Sequence, residues 1–210
     1  MTVEARREAM IDSQLRTTGV NDPAVLAAFR MVDRSRFVPQ AGAALAYADA
    51  AIRIAPTRTM LEPMILGLLL THAAIAAGDR VLVVGAGTGY SAALLLAMGA
   101  DVTALEEDAG LLATARGNGI AVVAGSLAAG WVSSAPYDLI VLDGAAAVLP
   151  PALLAQGRDG GQLAAVIVGA DGIGRATVGR IAGGVFAGTG FAETGATVLP
   201  GFARVAAFVF

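Results

Sequence analysis

At 210 residues, 56% hydrophobic and 15% charged, the chain fits one domain able to bury roughly 70% of its unfolded surface. It has no cysteine and no lysine (all 14 basic residues are arginine), and its single histidine is His72; this excludes thiol catalysis, Cys-ligated zinc or iron–sulfur sites, Schiff-base and P-loop lysines, and multi-histidine metal centres. A net charge of −3 offers no electrostatic footprint for nucleic acid.

Residues 3–17, VEARREAMIDSQLRT, place Val3, Met10, Ile11 and Leu15 at helical spacing, and Gly19 ends the pattern. Asn21-Asp22-Pro23 is a cap followed by proline at the first helical position, opening PAVLAAFRMV with Val25, Leu26 and Phe29 as the buried stripe. From Asp33 to Pro63 no period is sustained, and this stretch reads as irregular. Residues 1–62 are therefore expected to form a helical cap on a core domain spanning 63–210.

Pro63 opens an apolar helix expected to end near Gly78-Asp79. Then come the strands RVLVV (80–84), DVTALE (101–106), IAVVA (120–124), YDLIVLDG (137–144) and GQLAAVIVG (161–169), with helices between them at SAALLLAMG, DAGLLATAR and LPPALLAQG. Apolar strands alternating with helices predict a Rossmann-like, doubly wound, mostly parallel α/β sheet. RATVGRI and ARVAAFVF read as antiparallel C-terminal strands, and an apolar end of this kind would pair as an edge strand in a homodimer. The longest stretch without Asp, Glu, Lys or Arg, 117–137, contains Asn118, Ser126, Ser133, Ser134 and Pro136 and does not read as a membrane span. The charged opening MTVEARREAM lacks a signal peptide's apolar run. Together these suggest a soluble, cytoplasmic protein with neither a membrane nor a nucleic-acid partner.

VLVVGAGTGY carries the strongest local signal. Gly85, Gly87 and Gly89 lie between a strand and a helix, where missing Cβ atoms allow a tight turn and close approach of a ligand. The dinucleotide fingerprint would put its third glycine where Tyr90 stands, which argues against an NAD-dependent dehydrogenase. Glu106 follows about 20 residues past the first glycine, at the tip of the second strand, where an acid binds a ribose. Glu107 and Asp108 adjoin it and leave its register open by one residue, although Asp108 also suits a helix cap. His72, in PMILGLLLTHAAIAAG, is set in an apolar helix and reads as a packed or capping residue rather than a triad member.

The G-x-G-x-G turn with a strand-tip acid resembles class I S-adenosylmethionine-dependent methyltransferases. MIDSQLRTTGVNDPAVLAAFRMVDRSRFVP, LAYADAAIRI, GDRVLVVGAGTGYSAALL, GWVSSAPYDLIVLDGAAAVLPPALL and DGGQLAAVIVG keep the order and spacing of the protein-L-isoaspartate O-methyltransferases. The resemblance implies S-adenosylmethionine as cofactor, with Gly85, Gly87 and Gly89 at its methionine end, Glu106 at its ribose, and Ala86 and Tyr90 among the cofactor-binding residues. It puts Ser126 and Leu127 near the adenine and Asp143 in the same crevice. Asp143 is then either a substrate-orienting group or a cap of the next helix. Methyl transfer from a sulfonium is an in-line displacement, for which a carboxylate acceptor needs alignment more than a strong base.

TRTMLEP (57–63) departs from a family segment like GQTISQP. Leu61 replaces an active-site serine and Glu62 a glutamine. Thr59 keeps the family threonine and is the candidate catalytic hydroxyl, against a structural role. Arg58 is expected to pair with Glu62 as an exposed pair of little worth. In the usual GDG after the third strand, Ser126 replaces aspartate and Leu127 glycine. The chain is thus expected to be an S-adenosylmethionine-dependent methyltransferase whose acceptor, a damaged-protein carboxylate or a small molecule, need not be isoaspartate. The alternative is a non-catalytic relative that binds cofactor or a protein partner without turnover.

Overall fold

The computed structural model describes residues 2–204. Thr2 caps α1 (Val3–Met10) through Ala5 N–H; the helix runs on through a π-turn at Ile11–Leu15 and a 3₁₀ turn at Arg16–Thr18, and Gly19 at φ 101° stops it. Asp22 accepts from Ala24 and Val25 N–H and Pro23 fills the first position of α2 (Pro23–Met31), as the sequence predicts. Asp22→Ala is expected to lower stability by about 1 kcal/mol, read as a lower urea midpoint at unchanged slope.

The stretch expected to be irregular holds two 3₁₀ turns and an antiparallel hairpin, β1 (Ile52–Ala55) with β2 (Arg58–Met60), paired Ile52 to Met60 and Arg53 to Thr59. Strands this short present too few residues for alternation to register. Next, α3 (Pro63–Ala73) ends earlier than expected because Ala74, at φ 47°, takes the left-handed turn usually left to glycine.

The main sheet follows: β3 (Arg80–Val84), α4 (Tyr90–Ala97), β4 (Asp101–Glu106), α5 (Ala109–Gly117), β5 (Val122–Ala124), β6 (Tyr137–Ala146), α6 (Pro151–Leu154), β7 (Gly157–Val168), β8 (Gly174–Ala182) and β9 (Val185–Thr194). Its order is β5-β4-β3-β6-β7-β8-β9, with β8 and β9 antiparallel and the rest parallel. RATVGRI is β8. β9, rich in glycine and mostly exposed, was not expected, and the anticipated strand at ARVAAFVF lies largely outside the described residues.

Side chains along β3 alternate between two cores. Val81 and Val83 pack with α1 to α4, whereas Leu82 and Val84 pack with Leu105, Ile140, Leu153, Leu199 and Phe202. A strand apolar on both faces is what a doubly covered parallel sheet requires. After β9 the chain crosses the sheet's carboxyl edge as a strap. Ala145 N–H donates to Thr197 O and Leu199 N–H to Ala145 O, each at 2.8 Å, and Phe202 O accepts from Ala147 and Val148. No described helix is long and apolar enough to cross a membrane.

Candidate cofactor crevice

β4 and β6 flank β3 on opposite sides, so the carboxyl end of β3 is the switch point of the sheet, where open α/β folds bind ligands. The glycine turn lies there. Gly85, Gly87 and Gly89 take φ of 76°, 58° and 96°, conformations that a side chain would strain. Gly85 and Ala86 N–H both donate to Leu105 O, which fastens the turn to β4.

Glu106 reaches into this turn from the tip of β4. Its Oε2 accepts from Gly87 N–H at 2.8 Å, and its Oε1 accepts from Glu107 and Asp108 N–H. The same Oε1 is met by Arg58 Nη1 at 2.8 Å, while Arg58 Nη2 donates to Gly85 O at 2.6 Å. Arg58 is 3% exposed and Glu106 wholly buried. The expected Arg58–Glu62 pair is absent. Glu62 instead accepts from the Thr194 hydroxyl, and Arg58 turns inward because a buried carboxylate offers a stronger partner than a solvated one.

Two apolar side chains close the walls. A Cβ on Gly87 would stand 2.7 Å from Ile54 Cδ1, and one on Gly85 would stand 3.0 Å from Leu199 and 2.9 Å from Arg58 Nη2. The β1–β2 hairpin and the strap therefore meet over the turn, and Thr59 Oγ1 joins them by donating to Thr197 Oγ1 at 3.0 Å. That bond engages the candidate catalytic hydroxyl structurally.

Asp143, near the tip of β6, is buried and accepts from Ser91 Oγ, in the first turn of α4, at 2.5 Å. It does not cap the following helix. Burial pushes its carboxyl up to about 6, against the Ser91 hydrogen bond and the fields of Arg58 and Arg34, with Glu106 adding to the rise. Arg34, fully buried, donates from Nη2 to Leu61 O at 2.8 Å and lies 4.8 Å over the Tyr90 ring. Burial lowers the Arg34 pKa and pushes Tyr90 up to about 12.

The remaining candidates separate. Glu107 accepts from Leu127 N–H and Asp108 caps α5 through Leu111 N–H, so Glu106 alone of the three acids occupies the turn. Tyr90 points its ring into the N-terminal core against Phe29 and Phe37. Ser126 is exposed, and Leu127 is a core residue. His72, at the far end of α3, stacks on Phe191 at 4.0 Å but is exposed, so it lies on the surface rather than in the packed setting that its apolar neighbours suggest. Sequence reasoning did not single out Arg34 or Leu199, and it gave Arg58 the wrong partner. The clue for Arg58 was its place in a segment already known to differ from the family.

A profile of the family described as protein-L-isoaspartate(D-aspartate) O-methyltransferase matches residues 5–175. The chain belongs to this family. The protein-L-isoaspartate O-methyltransferase of Methylorubrum extorquens is 41% identical over 163 residues, covering 75% of this chain and 72% of the relative. That of Methanoculleus marisnigri is 38% identical over 168 residues, covering 77% and 76%. Among solved structures, a protein-L-isoaspartate O-methyltransferase superposes with a TM-score of 0.79 at 22% identity, over 95% of this chain and 66% of the other. A Plasmodium falciparum structure described as this methyltransferase in complex with S-adenosyl-L-homocysteine gives 0.77 at 18% identity, over 95% and 98%. These two likenesses agree with the Rossmann-like fold.

The two residues singled out in the segment 57–63 are both engaged within the protein-L-isoaspartate O-methyltransferase fold. Leu61 is buried, 1% exposed, and contributes only its carbonyl, to Arg34. Glu62 is tied to the end of β9. The strap that places Leu199 over Gly85 lies beyond the stretch the family profile matches.

Proposed function

We propose that this chain is an S-adenosylmethionine-dependent O-methyltransferase of the isoaspartyl family with an altered acceptor end. The glycine turn carrying Glu106 against Gly87 N–H carries this reading. Three left-handed glycines leave a turn whose backbone a ligand can approach closely, and Glu106 is an acceptor-only group suited to a pair of ribose hydroxyls. The donor set therefore suits the cofactor, provided that Arg58 leaves the carboxylate. Bound S-adenosylmethionine supplies a sulfonium methyl group. The protein's own task is to hold an acceptor oxygen in line with it and to exclude water, which the hairpin and the strap are positioned to do.

Leu61 has no hydrogen-bond donor on its side chain for an acceptor carboxylate, and Glu62 adds negative charge beside it. Both features argue for an acceptor other than the isoaspartyl carboxylate, or for weak turnover of that substrate. The test is a calorimetric titration with S-adenosylmethionine and S-adenosylhomocysteine, followed by an assay on an isoaspartyl peptide. Binding without peptide methylation would support an altered acceptor, whereas no binding at millimolar ligand would end the methyltransferase reading. Leu61→Ser is expected to raise methylation of the isoaspartyl peptide and to leave S-adenosylhomocysteine affinity within about twofold, since the added hydroxyl serves the acceptor and not the cofactor.

A further inference from the structure

Arg58 enters the crevice from the hairpin and donates two hydrogen bonds there, to Glu106 Oε1 and to Gly85 O. Even so, the buried polar atoms around it are incompletely paired. Among the described residues, Arg58 Nε and, near it, Asp143 Oδ1 have no hydrogen-bond partner. Groups of this kind are costly to bury alone and are completed by partners that a ligand or water brings. Immediately outside, Thr57, Arg58, Glu107, Asp108 and Pro200 line an open cleft of about 350 Å³. Arg58 thus stands between one buried carboxylate and two carboxylates facing solvent.

We infer that Arg58 is an internal occupant of the crevice: its guanidinium holds Glu106 in a ligand's place, and a nucleoside reaches Glu106 only when Arg58 exchanges it for the outer acids Glu107 and Asp108. The inference rests on the cofactor reading above. It explains why the turn glycines and Glu106 are formed and fastened while Arg58, Ile54 and Leu199 fill the space before them. Withdrawal needs no unfolding of the hairpin, because Thr59 keeps it tied to Thr197 while the long Arg58 side chain changes rotamer. In such an arrangement the apparent affinity is the intrinsic affinity reduced by the fraction of molecules with Arg58 withdrawn.

Titration with S-adenosylhomocysteine tests this on the full chain and on two variants, with thermal unfolding confirming that each is folded. Arg58→Gln keeps a donor for Glu106 without the charge, and Arg58→Met removes both. Both variants are expected to bind about tenfold more tightly than the parent, or to bind where the parent does not. In stopped flow the parent's association rate should level off with ligand concentration as withdrawal becomes limiting, while that of the variants keeps rising. Equal affinities and rates would overturn the occupant role and leave the cofactor reading standing. Weaker binding by folded variants would overturn it as well, by making Arg58 a ligand contact. If none of the three proteins binds at millimolar ligand, both readings fall together.

Discussion

Glu106→Ala is expected to be among the most destabilising single substitutions in this chain, at about 3–5 kcal/mol, because it takes from Arg58 its buried counter-charge, which the guanidinium recovers only by moving out to Glu107 and Asp108. It also removes the acceptor for Gly87 N–H and for the two amides that follow β4. Equilibrium unfolding in urea would measure the loss. Replacing both partners, as Arg58→Met with Glu106→Leu, should restore most of it, since apolar side chains of similar volume avoid the desolvation that the ion pair suffers. A double variant no more stable than Glu106→Ala would show that the two side chains are not coupled. Any loss of S-adenosylhomocysteine binding in Glu106→Ala has to be read at a temperature where that variant is still folded.

The second large effect concerns pH. Burial, the dominant cause, raises the Asp143 carboxyl from 3.8 to about 6 in the folded chain. A folded-state value above the unfolded one means that the native state holds the proton more tightly between the two. The contribution of Asp143 to stability is therefore fully present below about pH 4 and is lost as pH rises through about 6. A shift of about two units corresponds to roughly 3 kcal/mol. Asp143→Asn, which still accepts from Ser91, should match the parent near pH 4 and exceed it by about 2–3 kcal/mol near pH 7.5. Urea titrations of both proteins at the two pH values check this, and a difference independent of pH would mean that Asp143 does not titrate in this range.

These two residues mark how far the sequence could be read. Glu106 was placed at the strand tip from an apolar run and a glycine turn, and the structure sets its carboxylate against Gly87 N–H. Arg58, which the sequence reading pairs with Glu62, is its partner instead. Arg58 has four carboxylates close by in sequence or space, at 62, 106, 107 and 108, and nothing in a local pattern ranks them. The ranking comes from burial: Glu106 is wholly enclosed and Glu62 is not, and an ion pair strengthens as water is excluded.

The same distinction runs through the fold. Asp22 and Asp108 were legible as caps because a cap depends on residues two or three positions away. RVLVV, DVTALE and YDLIVLDG were legible as strands because both faces of a parallel sheet are covered and each carries a short apolar run between polar ends. The hairpin at Ile52–Met60 is held by Thr197, far off in sequence, whereas β9 pairs with β8 across Gly183-Gly184 and was hidden because it is glycine-rich and mostly exposed, so it carries no apolar alternation.

What the sequence by itself determined was the α/β architecture, the glycine turn and the acid facing it, which rest on short-range periodicity and spacing, and the family, which rests on the resemblance of whole stretches of the chain. Only the tertiary structure decided that the N-terminal hairpin and the C-terminal strap converge on that turn and that Arg58 fills it. Those contacts join residues 58 with 106 and 144 with 199, and long-range packing of that kind is set by which surfaces exclude water together rather than by any local preference of the chain.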